Sequence, residues 1–256
     1  SQINRGDWLV DGRAHVPINR FDASLYINTS EKVSLKNWTP AHLYLGAANF
    51  TCRIAVLTDG TIEPGKTGLA QIVSYKPIIA VHGDRFILRD PSAKRTIAGG
   101  IIVDPFSPAR GRARPQRIAW LKAMAQTTPE EALLRLLEQS SEGIDLDRFA
   151  QSWNLTYTEA EALYNSTILI KFQKGIIPWG VGQSYWQAYG LSLITTIKKW
   201  HKSNPESLGP HEYELNRLLS EKVPISLMYH VIRNHISAGV LAQKGTIVHE
   251  PAHQPQ

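Results

Sequence analysis

The spacing of apolar residues changes after residue 115, from strand-type alternation to a helical stripe, and this switch limits the possible folds more than any other feature. Before it, Cys52, Ile54 and Val56 alternate ahead of the Asp59-Gly60 turn, and Phe86 and Leu88 alternate between Arg85 and Arg89. Leu25–Ile27, Leu43–Leu45, Leu69–Val73 and Ile101–Val103 are further apolar runs, punctuated by Pro64-Gly65, His82-Gly83-Asp84 and Gly99-Gly100. About six short strands with no helical stretch between them are most simply housed in a small closed antiparallel barrel, because closure removes exposed strand edges.

Beyond residue 115, Ile118, Leu121 and Ala125 form a helical stripe. Thr128-Pro129-Glu130-Glu131 opens the next helix with a cap oxygen, a proline at the first position and a capping-box glutamate. Leu133, Leu134 and Leu137 are expected on its buried face. Leu146–Trp153 and Thr158–Tyr164 are two short helices split by Asn154-Leu155, the spacing of a helix-turn-helix. Thr167–Phe172 and Ile176–Trp179 flank Gln173-Lys174-Gly175 as a hairpin. The plan then recurs: helices over Tyr185–His201, Pro210–Leu219 and Pro224–Ala238, the last stopped by Gly239, and a hairpin around Gln243-Lys244-Gly245. The Gln-Lys-Gly tripeptides lie 70 residues apart, which suggests an internal repeat of winged-helix units. The reading is therefore a β-barrel followed by two tandem α/β winged-helix domains. Its boundaries are 1–12 as the tail of a preceding barrel, 13–105 as the barrel, 106–116 as a basic Arg/Pro linker, 117–184 as winged helix one and 185–256 as winged helix two.

Charge narrows the choice of partner. The 256 residues carry a net charge of +6, distributed unevenly. Residues 1–105 hold 12 basic and 9 acidic side chains, and residues 106–118 hold four arginines and no acid. Residues 119–184 hold 5 basic and 8 acidic, and residues 185–256 hold 7 and 5. A polyanion would meet the barrel, the arginine stretch and the last region more readily than the third. No apolar run is long enough to span a membrane. Cys52 is the lone cysteine, which excludes an internal disulfide and fits a reducing, cytoplasmic setting. The chain opens at Ser1 as though inside a strand and reads as a piece of something longer.

Catalytic chemistry is not signalled. No Gly-x4-Gly-Lys-Ser/Thr loop and no Gly-x-Gly-x-x-Gly follows a strand, so no nucleotide cofactor is expected. No Ser/His/Asp set, paired carboxylates or metal-ligand cluster stands out; His249 and His253 fall beyond the last strand. Glu159, Glu161, Glu212 and Glu214 read as solvated helix faces or partners of the helix dipole.

The run Gly83-Asp-Arg-Phe-Ile-Leu-Arg-Asp-Pro-Ser-Ala-Lys-Arg-Thr-Ile-Ala-Gly-Gly100 resembles the third domain of tRNA-carrying translational GTPases. Ile3–Leu9, Trp38–Ala48 and Arg110-Gly-Arg-Ala-Arg-Pro115 resemble the bacterial SelB family, the selenocysteine-specific elongation factors. Where relatives of the EF-Tu kind carry Asp-Val-Thr-Gly, this chain has Asn49-Phe-Thr-Cys52. The resemblance implies an EF-Tu-like third-domain barrel and two of the family's four winged helices. It also implies selenocysteyl-tRNA, the ribosome and an mRNA hairpin as partners of a monomeric parent, with hairpin recognition in winged helices beyond this stretch. GTP and Mg2+ would belong to a GTPase domain outside it.

Candidate RNA contacts are Arg85, Arg89, Lys94 and Arg95 around a turn that precedes Gly99-Gly100, where backbone has room to approach phosphates. Arg110, Arg112 and Arg114 come from the arginine stretch, and Lys198, Lys199 and Lys202 surround Trp200. The alternative for some of Arg85, Arg89 and Arg95 is to brace the barrel by pairing with Asp84 or Asp90, and for Trp200 to sit in a core. His42, Tyr44 and Asn49 are barrel-strand residues with a lesser claim on RNA. A winged-helix DNA-binding regulator with a β-barrel sensor is the competing reading. It calls for basic recognition helices, yet Thr158–Tyr164 carries two glutamates and no Lys or Arg, and Ile225–Ala238 only Arg233.

Overall fold

A computed structural model describes Gly12 and residues 15–255. The expected barrel tail at 1–12 therefore lies, but for Gly12, outside the described residues. The barrel comprises β1 (Ile18–Ile27), β3 (Thr39–Leu45), β4 (Ala48–Val56), β6 (Thr67–Ile78), β7 (Arg85–Arg89) and β8 (Thr96–Asp104), closed in the order β1-β6-β4-β3-β7-β8 with every pairing antiparallel. A short ribbon of β2 (Leu35–Lys36) and β5 (Thr61–Ile62) is added beside it. Strand alternation decides what faces inward. Phe21, Ala23, Leu25 and Ile27 of β1 are buried in the core with Leu43, Ile54, Ile72, Leu88 and Ile102, and Phe21 meets Phe86 edge-on at 5.2 Å. Gly100 belongs to this packing: a Cβ there would lie 2.6 Å from the Phe86 ring and 2.7 Å from the Ser24 carbonyl. Its lack of a side chain is explained inside the barrel, without a phosphate.

The alternation also places Asp22 of β1 and Gln71 of β6 on the outer wall, yet both are fully buried. The segment expected to be a linker covers them. Gln71 donates to Asp22 Oδ1 at 2.9 Å, to Ser107 Oγ at 3.2 Å and to the Pro108 carbonyl at 3.1 Å. In helix α1 (Pro115–Met124), Arg117 joins Asp22 to Asp104 (Nε to Asp22 Oδ2 3.0 Å, Nη1 to Asp104 Oδ2 2.8 Å), and Trp120 donates to Asp104 Oδ2 at 3.0 Å. Residues 106–116 are thus a fastened strap. Two carboxylates brought out of water need their cation, and the chain that supplies it must lie down on the barrel.

The remaining elements are α2 (Pro129–Gln139), β9 (Ile144–Asp145), α3 (Leu146–Ser152), α4 (Tyr157–Ser166), β10 (Leu169–Lys174) and β11 (Ile177–Gly182), then α5 (Gln183–Ser203), α6 (Glu212–Leu218), α7 (Ile225–Ser237), β12 (Ala242–Lys244) and β13 (Ile247–His249). This is the winged-helix order twice over. In the second copy a single bridge from His211 to Ile247 stands where β9 pairs with β11 in the first. Gly175 (φ 67°) and Gly245 (φ 62°) occupy the same left-handed turn position in the two hairpins, as the repeated Gln-Lys-Gly requires. One expectation fails in α2: Leu134 is 50% exposed, and Leu136 joins Leu133 and Leu137 as the buried leucines.

Among the described residues, compactness groups those up to 133 with 148–161, and 134–147 with those from 162 onward. This division does not fall at the 116/117 and 184/185 boundaries read from sequence. Within the first unit, His82 stacks on Trp153 at 3.7 Å, its backbone N–H donates to the Ser152 carbonyl, and Arg148 lies 4.6 Å over Phe106. Within the second, Phe172 and Val181 share one core with Tyr189, Leu193, Ile197, Leu227 and Val231. Among the described residues no helix is long and apolar enough to cross a membrane.

Candidate nucleic-acid interface

On the barrel, the β7–β8 turn is organised by Asp90. Its carboxylate accepts from the backbone N–H groups of Lys94 (2.9 Å) and Arg95 (3.2 Å) and from Ser92 Oγ (3.0 Å). Desolvation opposes ionisation, but these donors together, the Arg95 N–H foremost, and the Arg95 charge hold the carboxyl below its ordinary range. Ala93 takes φ 55°, and its carbonyl turns to accept from Arg89 Nη1 at 3.1 Å. The Arg89 guanidinium lies 5.4 Å from the Tyr44 ring, and His42 contacts the Pro91 carbonyl at 3.1 Å. Arg89, Tyr44 and His42 therefore brace the turn. Lys94 is exposed, and Arg95 is 57% exposed with Nη1 at 3.3 Å from Glu31. Arg85 is exposed on β7. The turn presents Lys94 and Arg95 outward, with Arg85 on the same strand as Arg89.

A second basic surface joins the strap to the barrel wall. Arg112 lies 4.6 Å over the Trp38 ring and donates to Gln71 Oε1 at 3.2 Å. Arg53 of β4 reaches the Trp38 carbonyl at 3.5 Å and donates through Nε to Tyr75 Oη at 2.8 Å. The register explains the meeting: Arg53 pairs with Val73 across β4 and β6, and Tyr75 is two residues along on the same face. Trp38 (40% exposed) and Tyr75 (64%) thus stand in the open beside two guanidiniums. Sequence reasoning found Arg112 here but not Arg53, Trp38 or Tyr75; the available signal was the exposed-aromatic composition of Asn37-Trp38-Thr39-Pro40 within the family-like run. Arg110 and Arg114 are exposed on the strap.

In the second unit the three expected lysines diverge. Lys198 lies 3.7 Å from Glu250, with both groups partly solvated, and Lys202 shares its helix face one turn on. Lys199 lines a groove of about 800 Å³ with Trp200, Leu191 and Leu218. The helix that would read nucleic acid in the first winged unit, α4, has one of its two acids engaged locally: Thr156 N–H and Oγ donate to Glu159 at 2.8 and 2.7 Å. The Thr156 hydroxyl and N–H hold that carboxyl below its usual range. Cys52 is buried, and burial pushes its thiol up to about 12, so it is no nucleophile. Among the described residues no group of His, Cys, Asp and Glu is placed to hold a metal ion.

Residues 22–109 match the family described as "Selenocysteine-specific elongation factor, beta-barrel domain". Over 99% of its length the chain is similar to the selenocysteine-specific elongation factor of Escherichia coli K12 (28% identity, 38% of that protein). The Haemophilus influenzae factor is 25% identical over 99% of this chain and 40% of its own length, and that of Desulfomicrobium baculatum 28% over the same shares. The chain thus spans about two fifths of the length of the curated relatives it matches. A bacterial selenocysteine-specific elongation factor EF-Sec crystal structure superposes with a TM-score of 0.57 at 12% identity, covering 94% of this chain and 35% of that one, which is a likeness of fold.

Proposed function

We propose that this chain, a SelB-type stretch built on the SelB β-barrel, is the RNA-handling portion of a selenocysteine-specific elongation factor. The similarity to such factors along 99% of the chain is the observation that carries this reading. The barrel holds the backbone of selenocysteyl-tRNA, and the winged helices lead toward an mRNA hairpin and the ribosome. The Trp38–Arg53–Tyr75–Arg112 surface and the Lys94–Arg95 turn supply what a folded RNA demands: cations for phosphates and flat exposed rings for sugars and unstacked bases. Recognition of this kind depends on shape, so rigid placement matters more than the number of charges. The strap and the Asp90-centred turn provide that rigidity. GTP binding and hydrolysis, with Mg2+, are assigned to parts of the parent protein outside this stretch, and this chain acts as a non-enzymatic binding portion working in the cytoplasm.

The DNA-regulator reading is supported less well, because α4 offers a duplex two glutamates and no cation. Equilibrium titration of the full chain with selenocysteyl-tRNA, an elongator tRNA and a DNA duplex at two salt concentrations tests the choice. Tightest binding to selenocysteyl-tRNA is expected, and a preference for the duplex would replace the proposal with the alternative.

A further inference from the structure

We infer that the second unit carries its own binding site for single-stranded RNA, in the cleft between the wing strand β10 and helix α7, separate from the barrel surface. The cleft measures about 500 Å³ and is lined by Lys171, Phe172 and Gln173 with Ser226, Tyr229, His230 and Arg233. The lining follows from two periodicities. Ser226, Tyr229, His230 and Arg233 are spaced i, i+3, i+4, i+7, so they form one stripe of α7. Lys171 and Gln173 are alternate residues of β10 and share a face. The two winged units are locked here: Phe172 lies 6.4 Å from His230 and belongs to the same core as Leu227 and Val231. The cleft is thus a fixed feature of the unit.

The walls of the cleft are cationic: β10, β11 and α7 carry Lys171, Lys174 and Arg233 and no carboxylate. Lys171 also donates to Asn165 Oδ1 at 3.4 Å and lies 5.7 Å from the Tyr164 ring of α4, and Lys174 lies 4.3 Å over Trp179. Lys171 and Arg233 are exposed at the rim, while Tyr229 and His230 are half-buried between them. His230 is also held edge-on to Trp186 at 5.6 Å. Its burial, with Arg233 nearby, pushes the imidazole below its ordinary pKa, so at neutral pH the ring is an uncharged flat surface. Two cations at the rim of a pocket floored by neutral rings and flanked by an amide and a hydroxyl suit a backbone phosphate and an unpaired base. A duplex would present its bases stacked and out of reach. Sequence reading set α7 aside because it holds one arginine; the second cation comes from the wing of the first winged helix, in the same compact unit but 62 residues away, and spacing along a single helix does not reveal it.

The inference takes from the proposed function only that the polymer is RNA, and it can fail while tRNA binding on the barrel persists. The test titrates a fluorescent uridine-rich 12-mer into the full chain and into Lys171→Ala/Arg233→Ala, with Lys198→Ala/Lys199→Ala/Lys202→Ala as the control. Affinity for the 12-mer should fall about tenfold or more in the first variant. The slope of log affinity against log salt should drop by roughly 1.4, two contacts at ~0.7 each for a single strand. Binding of tRNA should be kept. Ultraviolet cross-linking with a thiouridine 12-mer should mark residues 226–233 or 170–174. Unchanged affinity and slope in a variant that melts like the parent, loss in the α5 control instead, cross-links confined to 198–202, or equal binding of a DNA duplex would each overturn the inference.

Discussion

The barrel and the second compact unit both carry excess positive charge, but they use it differently. In the barrel the guanidiniums are built into the structure. Arg117 neutralises buried Asp22 and Asp104, Arg112 ties the strap to Gln71 while lying on Trp38, and Arg89 holds the carbonyl of a left-handed Ala93. In the second unit the cations ride on solvent-facing positions and lean on neighbours at the surface, Lys198 at 3.7 Å from Glu250 and Lys174 at 4.3 Å over Trp179. The contrast shows how a surface becomes a rigid template. A guanidinium has five donors, so it can satisfy a wall residue with some and present the rest outward, whereas a lone surface ammonium fixes nothing around it.

The largest effect should come from removing the buried cation. Arg117→Ala leaves two carboxylates in a site with no counter-charge, and about 3–5 kcal/mol of stability should be lost. Thermal unfolding followed by near-ultraviolet signals from the first unit would show it, and a wild-type melt would mean that the strap is not held electrostatically. Next, Trp38→Ala with Arg112→Ala should weaken tRNA binding by about 1–3 kcal/mol for the lost stacking surface. Replacing the three α5 lysines should change tRNA binding far less. If the two variants lose equally, the distinction between built-in and solvated charge carries no weight for recognition.

A smaller effect involves histidine. His82 is desolvated against Trp153 and donates from Nε2 to the Met124 carbonyl, and burial pushes its pKa below the ordinary 6.5; His230 shifts in the same direction. A histidine kept neutral by the fold binds its proton more readily when unfolded. Stability is therefore full above 6.5 and falls as pH drops below that value. Melting temperature measured from about pH 7.5 to about 5.5 should decline, and His82→Phe should flatten part of the decline, leaving the His230 share. The smallest effect belongs to Arg95→Ala, which removes a half-solvated group already leaning on Glu31. The salt slope of tRNA binding should fall by roughly 0.9 with the melt unchanged.

The barrel, the helix order and the hairpin turns were legible because they rest on local signals: alternation of Phe86 and Leu88, the Thr128-Pro129 start, the glycines at 175, 239 and 245. The roles of the arginines were not. Whether Arg89 braces a turn or faces RNA depends on where the Ala93 carbonyl points, and Arg112 looked like one of several linker charges until Trp38 lay beneath it. The strap escaped notice for the same reason: Asp22 and Arg117 stand 95 residues apart, and nothing in either neighbourhood marks the pair. Leu134 and Leu136 were exchanged because a leucine-rich helix offers two overlapping stripes, and tertiary packing chooses between them.

Backbone hydrogen exchange of the full chain, with and without selenocysteyl-tRNA, tests most directly whether the barrel is the RNA template. Protection is expected around Trp38, Arg53 and Tyr75 and in the turn from Asp90 to Arg95, where surfaces already ordered would become covered. Protection confined to α5, with the barrel exchanging as in the free chain, would contradict the account.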